Sequence, residues 1–66
     1  MAYDKQQWMA SFEGRLAILR PHLSERVLES MAITAWHRHG VRGEEPVAAA
    51  AAASAAIDAA AKKSPG

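Results

Sequence analysis

The chain contains no cysteine in its 66 residues, so disulfide bonds and metal sites built on thiolate ligands are excluded. Disulfides and metals are the usual supports of very short chains, because a domain of this size buries only about 60% of the surface that its unfolded chain exposes. Without them, we expect the protein to complete its core by oligomerisation, as a homo-oligomer, or by binding another protein.

Large apolar side chains and long apolar runs are also scarce. Half of the residues are hydrophobic, but sixteen of these are alanine, and of the seventeen larger ones only Ile57 follows residue 48. The alanine-rich run is too short and too weakly apolar to cross a bilayer core about 30 Å thick. The first residues, MAYDKQQW, are polar and carry an acid, unlike a signal peptide. We therefore expect a cytoplasmic protein with no membrane contact.

An excess of charge of one sign is missing, and so are catalytic motifs. Eight Lys and Arg residues stand against seven Asp and Glu residues, for a net charge of +1, whereas nucleic-acid binders normally carry a clear basic excess. The sequence has no cysteine nucleophile, glycine-rich phosphate loop or nucleophile elbow, and a chain this short rarely encloses a ligand cleft. We expect no catalytic residue, no cofactor and no enzymatic activity.

What the sequence does contain is helical periodicity, which predicts an all-α fold. In residues 3–20, apolar side chains recur at spacings of three and four and form one stripe, and Pro21 ends the segment. Residues 22–39 predict a second helix, with Pro21 or Ser24 at its start and Gly40 in the left-handed position after it. Its apolar sector spans about 220°, twice the width that one neighbour covers, so we predict that this helix is the central one.

The alanine-rich residues 45–62 predict a third helix, with acids before it and lysines at its end, in the order that favours the helix dipole. The short connection between residues 3–20 and 22–39 excludes parallel packing, so we expect those two helices to form an antiparallel hairpin or, as the alternative, to meet at a wide corner. We therefore divide the chain into a helical hairpin, residues 1–43, and an alanine-rich helix with a short tail, residues 44–66. The third helix either lies close against the hairpin or frays. Because alanine buries little apolar area, we expect it to add little to the core.

The segment AITAWHRHGVRG, residues 32–43, combines a tryptophan with several basic side chains. His37 and His39 point about 200° from each other on a helix, so they cannot chelate one metal ion, and we predict no metal site. Basic side chains in a last helical turn interact favourably with the helix dipole, which explains most of the segment. The alternative is a small DNA-binding regulator that uses this basic turn, formed by His37, Arg38, His39 and Arg42.

A protein interaction surface is the function that the sequence favours. Trp36 lies at the edge of the apolar sector of its helix, and Ile18 and Ile33 lie off the main stripes. Tryptophan is over-represented at interfaces, although a half-buried core position explains Trp36 equally well. The residues that we predict to bind a partner are Trp36, Ile33, Ile18, Trp8 and Met31. We expect a small accessory or regulatory protein, with the alanine and arginine usage typical of GC-rich bacteria or phages.

Overall fold

The computed structural model describes residues 4–63, with the side chains of residues 4–61. Three helices make up this part of the chain: α1 (Lys5–Leu19), α2 (Glu25–Arg38) and α3 (Pro46–Lys63), with a short 3-10 turn between α2 and α3. Residues 4–63 contain no strand, so the predicted all-α fold is confirmed. The predicted helix ends differ from the observed ones by at most three residues, and the predicted start at Tyr3 lies outside the described residues.

Side-chain caps set where α1 and α2 begin. The Asp4 carboxylate accepts a hydrogen bond from the backbone N–H of Gln7 (3.1 Å), and the Ser24 hydroxyl accepts one from that of Val27 (3.3 Å). Each bond satisfies an N–H group that the first helical turn otherwise leaves without a partner. Of the two residues predicted to start the second helix, Ser24 is therefore the cap, and Pro21 lies in the preceding turn.

The first two helices run antiparallel, and the third runs parallel to the first. The Trp8 ring, near the start of α1, packs edge-to-face on the Trp36 ring, near the end of α2, with centroids 5.7 Å apart. The start of α3 lies beside the start of α1, because the Trp8 indole N–H donates to the Glu44 carbonyl (2.7 Å). At the other end of α1, Arg20 Nε donates to Ser54 Oγ (3.0 Å). The predicted hairpin is thus present, and α3 lies along α1.

The central helix is α1, so the prediction that the second helix occupies the centre is wrong. α1 packs against both other helices, whereas α2 and α3 touch each other only slightly. The cause is a single row of large side chains on α1, Trp8, Phe12 and Leu16, which are completely buried. The wide apolar sector of α2 is only partly buried, because Val27, which belongs to it, remains exposed.

The third helix forms and lies against the hairpin, which is one of the two predicted alternatives, but the expectation that it adds little to the core is wrong. Ala49 and Ala50 are buried, and Ala53 packs against the same cluster. Small side chains let α3 approach α1 closely, and the large side chains of α1 fill the space between the helices. The buried cluster therefore draws residues from both predicted parts, 1–43 and 44–66. Within residues 4–63, no helix has the length and apolar character needed to span a membrane.

Candidate interaction surfaces

Trp8 was predicted to bind a partner, but the structure places it in the core. Its side chain is completely buried, stacks on Phe12 with ring centroids 5.6 Å apart and donates its indole N–H to the Glu44 carbonyl. A partner cannot reach it in this conformation. The signal was present in the sequence, because Trp8 is the first member of the four-residue repeat that continues through Phe12 and Leu16.

Trp36 is half-buried and packs against the core. Its ring lies on Gly40, so closely that a Cβ atom built there would stand 2.0 Å from the ring carbon Cε3. Gly40 was predicted to take the left-handed conformation after α2, but that conformation belongs to Gly43, with φ of 80°. Gly40 is required by the approach of the tryptophan ring, and Trp36 serves first as a packing residue.

The other three predicted contact residues do not form one surface. Met31 is half-buried and packs against the core cluster. Ile18 on α1 is 70% exposed and Ile33 on α2 is 43% exposed. Each isoleucine lies well away from the buried row of its own helix, on an outward side. The structure therefore brings Trp8, Trp36 and Met31 to the core and leaves Ile18 and Ile33 at the surface.

Several of the apolar residues next to the turn between α1 and α2 are exposed. Ile18 and Leu19 end α1 and are 70% and 40% exposed, and Val27, in the first turn of α2, is 40% exposed. Leu23, in the turn itself, is half-buried. We call these four residues the corner. Only Ile18 was predicted from the sequence, yet the signal existed, because two adjacent apolar residues beside a turn cannot both point into one core.

A second apolar surface lies where α3 continues past the end of α1. Arg20, the residue after α1, bonds to the Ser54 hydroxyl and carbonyl and forms an ion pair with Asp58. The helix beyond Asp58 therefore extends past α1. Ala60 and Ala61 lie on the same helical stripe as the buried Ala49 and Ala50, yet both are exposed. We call Ala60 and Ala61 the ledge.

The basic turn lies beside an acidic residue, Glu44. His39 Nδ1 lies 2.9 Å from Glu44 Oε1, and Arg42 Nη1 lies 4.0 Å from Glu44 Oε2. His37 and Arg38 are exposed in the last turn of α2, where positive charge favours the helix dipole. Of the four residues predicted to contact nucleic acid, His39 and Arg42 thus lie within 4.0 Å of the Glu44 carboxylate.

Neither a cavity nor a metal-ligating cluster occurs in the part of the chain that the structure describes. No pocket is present among residues 4–63, and no three His, Asp or Glu side chains of the described residues come together in a metal-binding arrangement. Comparisons of the chain with models of protein families, with curated proteins and with solved structures find no match. The corner, the ledge and the basic turn are therefore the candidate interaction surfaces of the described residues.

Proposed function

We propose that this protein is a small accessory or regulatory protein of the cytoplasm that acts without catalysis, by binding another protein surface. The observation that carries the proposal is the corner. Isolated exposed apolar residues are ordinary on a protein surface, but here Ile18, Leu19 and Val27 lie around one turn. An apolar cluster of this kind is a common mark of a protein interaction site.

The modest size of the core supports the same proposal. Trp8, Phe12 and Leu16 are the largest completely buried side chains among the described residues. Removing apolar surface from water stabilises a protein by roughly 25 cal/mol per Å². A partner that covers the corner adds this stabilisation without any rearrangement of the three helices. The expected role is that of a compact helical body that presents one apolar end.

A matched set of lysine variants tests this function. Ile18→Lys and Val27→Lys place a charge in the corner, whereas Ser11→Lys and Ser30→Lys place the same charge on exposed positions of the same two helices. We expect the corner variants to lose the proteins that co-purify with the wild type from its native host, and the serine variants to retain them. Loss of the same proteins from all four variants would contradict the proposal, as would retention by all four.

DNA binding is the second candidate, favoured by the exposure of His37 and Arg38 and by the 74% exposure of the Arg42 side chain. Glu44 weakens it, because its carboxylate lies near both His39 and Arg42. Binding carried by phosphate contacts falls steeply as salt is raised. DNA affinity that drops with salt and disappears in Arg38→Ala would favour this candidate over the first.

A further inference from the structure

We infer that the corner is part of a binding site for an acidic segment of another protein, one that carries large apolar side chains beside its carboxylates. The inference rests on the proposed function and names the chemistry of the partner. It is carried by the separation of charge between the two sides of the hairpin of α1 and α2. The side that holds the corner residues Ile18 and Val27 also holds arginine, whereas most carboxylates lie on the other side.

One residue on each helix marks the side of the hairpin that faces α3. Arg20, whose backbone N–H closes the last turn of α1, bonds to α3, and the Trp36 ring lies on the connection between α2 and α3. At about 100° per residue, Ile18 lies roughly 160° around α1 from Arg20, and Val27 lies about 180° around α2 from Trp36. Ile18 and Val27 therefore share the side that faces away from α3, which we call the open side.

The side-chain carboxylates avoid the open side. Glu13 lies within about 20° of Arg20 around α1, and Glu25 and Glu29 lie within about 20° of Trp36 around α2. Three more carboxylates belong to α3 or to the connection before it: Glu44, Glu45 and Asp58. The chain has seven Asp and Glu residues, and the one that remains is the cap at the start of α1, at the far end of the hairpin from the corner.

Arginine, in contrast, is present on the open side. Arg15 precedes Ile18 by three residues, so the two side chains are neighbours on the surface of α1. Arg38 lies within about 20° of Val27 around α2, nearer the other end of that helix. Both arginines are exposed, and neither takes part in an ion pair within residues 4–61. The open side thus combines exposed apolar side chains with positive charge that the chain itself does not pair.

These features fit a partner that has both apolar side chains and carboxylates. Removing Ile18 and Val27 from water favours binding, and the planar guanidinium of Arg15 is suited to a carboxylate. A segment that runs along the hairpin from the corner can also reach Arg38. A nucleic acid would use the arginines through its phosphates but would leave the apolar side chains without a partner. An acidic protein segment therefore uses more of this surface.

The test is a selection of peptides from a randomised library by the full chain, followed by affinity measurements on one enriched peptide by fluorescence anisotropy. Arg15→Glu and Ile18→Ser change the proposed site. Lys5→Glu and Ile33→Ser are the matched controls, because helical spacing places both positions off the open side. All of these positions are exposed, so the variants should fold, as checked by circular dichroism.

We expect the enriched peptides to carry an excess of Asp and Glu over Lys and Arg, together with large apolar residues. The dissociation constant should rise about tenfold for Arg15→Glu and for Ile18→Ser and change less than about twofold for the controls. The lysines in Ser11→Lys and Ser30→Lys add positive charge, so an acidic partner should tolerate them, as the proposed function requires.

Three results would overturn the inference. The first is enrichment of basic or uncharged peptides, or no enrichment at all; the loss of host proteins from the corner lysine variants would then still support the proposed function. The second is equal weakening by the site variants and their controls. The third is binding of a labelled DNA duplex that is lost in Arg15→Glu and kept in Ile18→Ser, which would assign the open side to nucleic acid.

Discussion

At the scale of single residues, two glycines that look alike in the sequence have opposite roles. Gly14 lies in the middle of α1 with nothing within 4 Å of a Cβ atom built on it, whereas the Trp36 ring occupies that space at Gly40. Glycine in a helix interior costs up to about 1 kcal/mol relative to alanine. The structure therefore predicts opposite effects for the same substitution.

We expect Gly14→Ala to stabilise the protein by about 0.5–1 kcal/mol and Gly40→Ala to destabilise it by about 1–3 kcal/mol, because the tryptophan ring must shift. Chemical denaturation followed by circular dichroism measures both. Each variant serves as the control for the other, since the added methyl group is identical. Equal stability of the two variants would show that the ring does not rest on Gly40.

Arg20 is a second residue whose role depends on its exact chemistry. Its guanidinium bonds to the Ser54 hydroxyl and carbonyl and pairs with Asp58, and its side chain is 19% exposed. Lysine keeps the charge but lacks the planar set of donors. We expect Arg20→Lys to lower the free energy of unfolding by about 1 kcal/mol, and Arg15→Lys, at an exposed position of α1, to leave it nearly unchanged. Similar losses for both would argue against the role of Arg20.

At the scale of whole elements, α3 determines whether the hairpin is stable. From the sequence, the third helix was expected to add little to the core, which implies that a chain ending at Gly43 would remain folded. The structure reverses this expectation, because α3 packs along α1 and the Glu44 carbonyl accepts the indole hydrogen bond of Trp8. Removing α3 would expose one side of the row of large buried side chains and leave that indole without its acceptor.

Two truncations separate the roles of the two parts of α3. A chain ending at Gly43 should lose most of its helical signal and its cooperative thermal transition. A chain ending at Asp58 retains the buried alanines and both partners of Arg20, so it should remain folded. Circular dichroism with thermal melting checks both. A cooperative transition in the shorter chain would mean that α1 and α2 form a stable unit alone.

At the scale of the whole molecule, the association of chains that we expect from the sequence would link stability to concentration. Association that occurs only in the folded state raises the melting temperature as protein concentration rises. We expect this for the wild type between about 5 and 500 µM, as measured by scanning calorimetry. A wild-type melting temperature that does not change with concentration would contradict pairing of the folded chains.

Local patterns in the sequence were sufficient for the helices themselves. Their number and approximate limits follow from apolar periodicity, from the serine cap of α2 and from the propensity of alanine, because each depends on residues within a turn or two of one another. The antiparallel order of α1 and α2 follows from the short connection between them. The stripe of Trp8, Phe12 and Leu16 also marked α1 as a helix with one strongly apolar face.

Only the tertiary structure decided which helix lies at the centre and which side chains remain at the surface. The apolar sector of α2 is wide, but burial requires a neighbour, and α3 lies along α1 instead. In this arrangement of the three helices, Trp8 is buried and the Trp36 ring lies on Gly40. Ile18, Val27 and Ala61 are exposed. Periodicity shows which way a side chain points within its helix, but whether another helix stands there depends on packing between residues far apart in the chain.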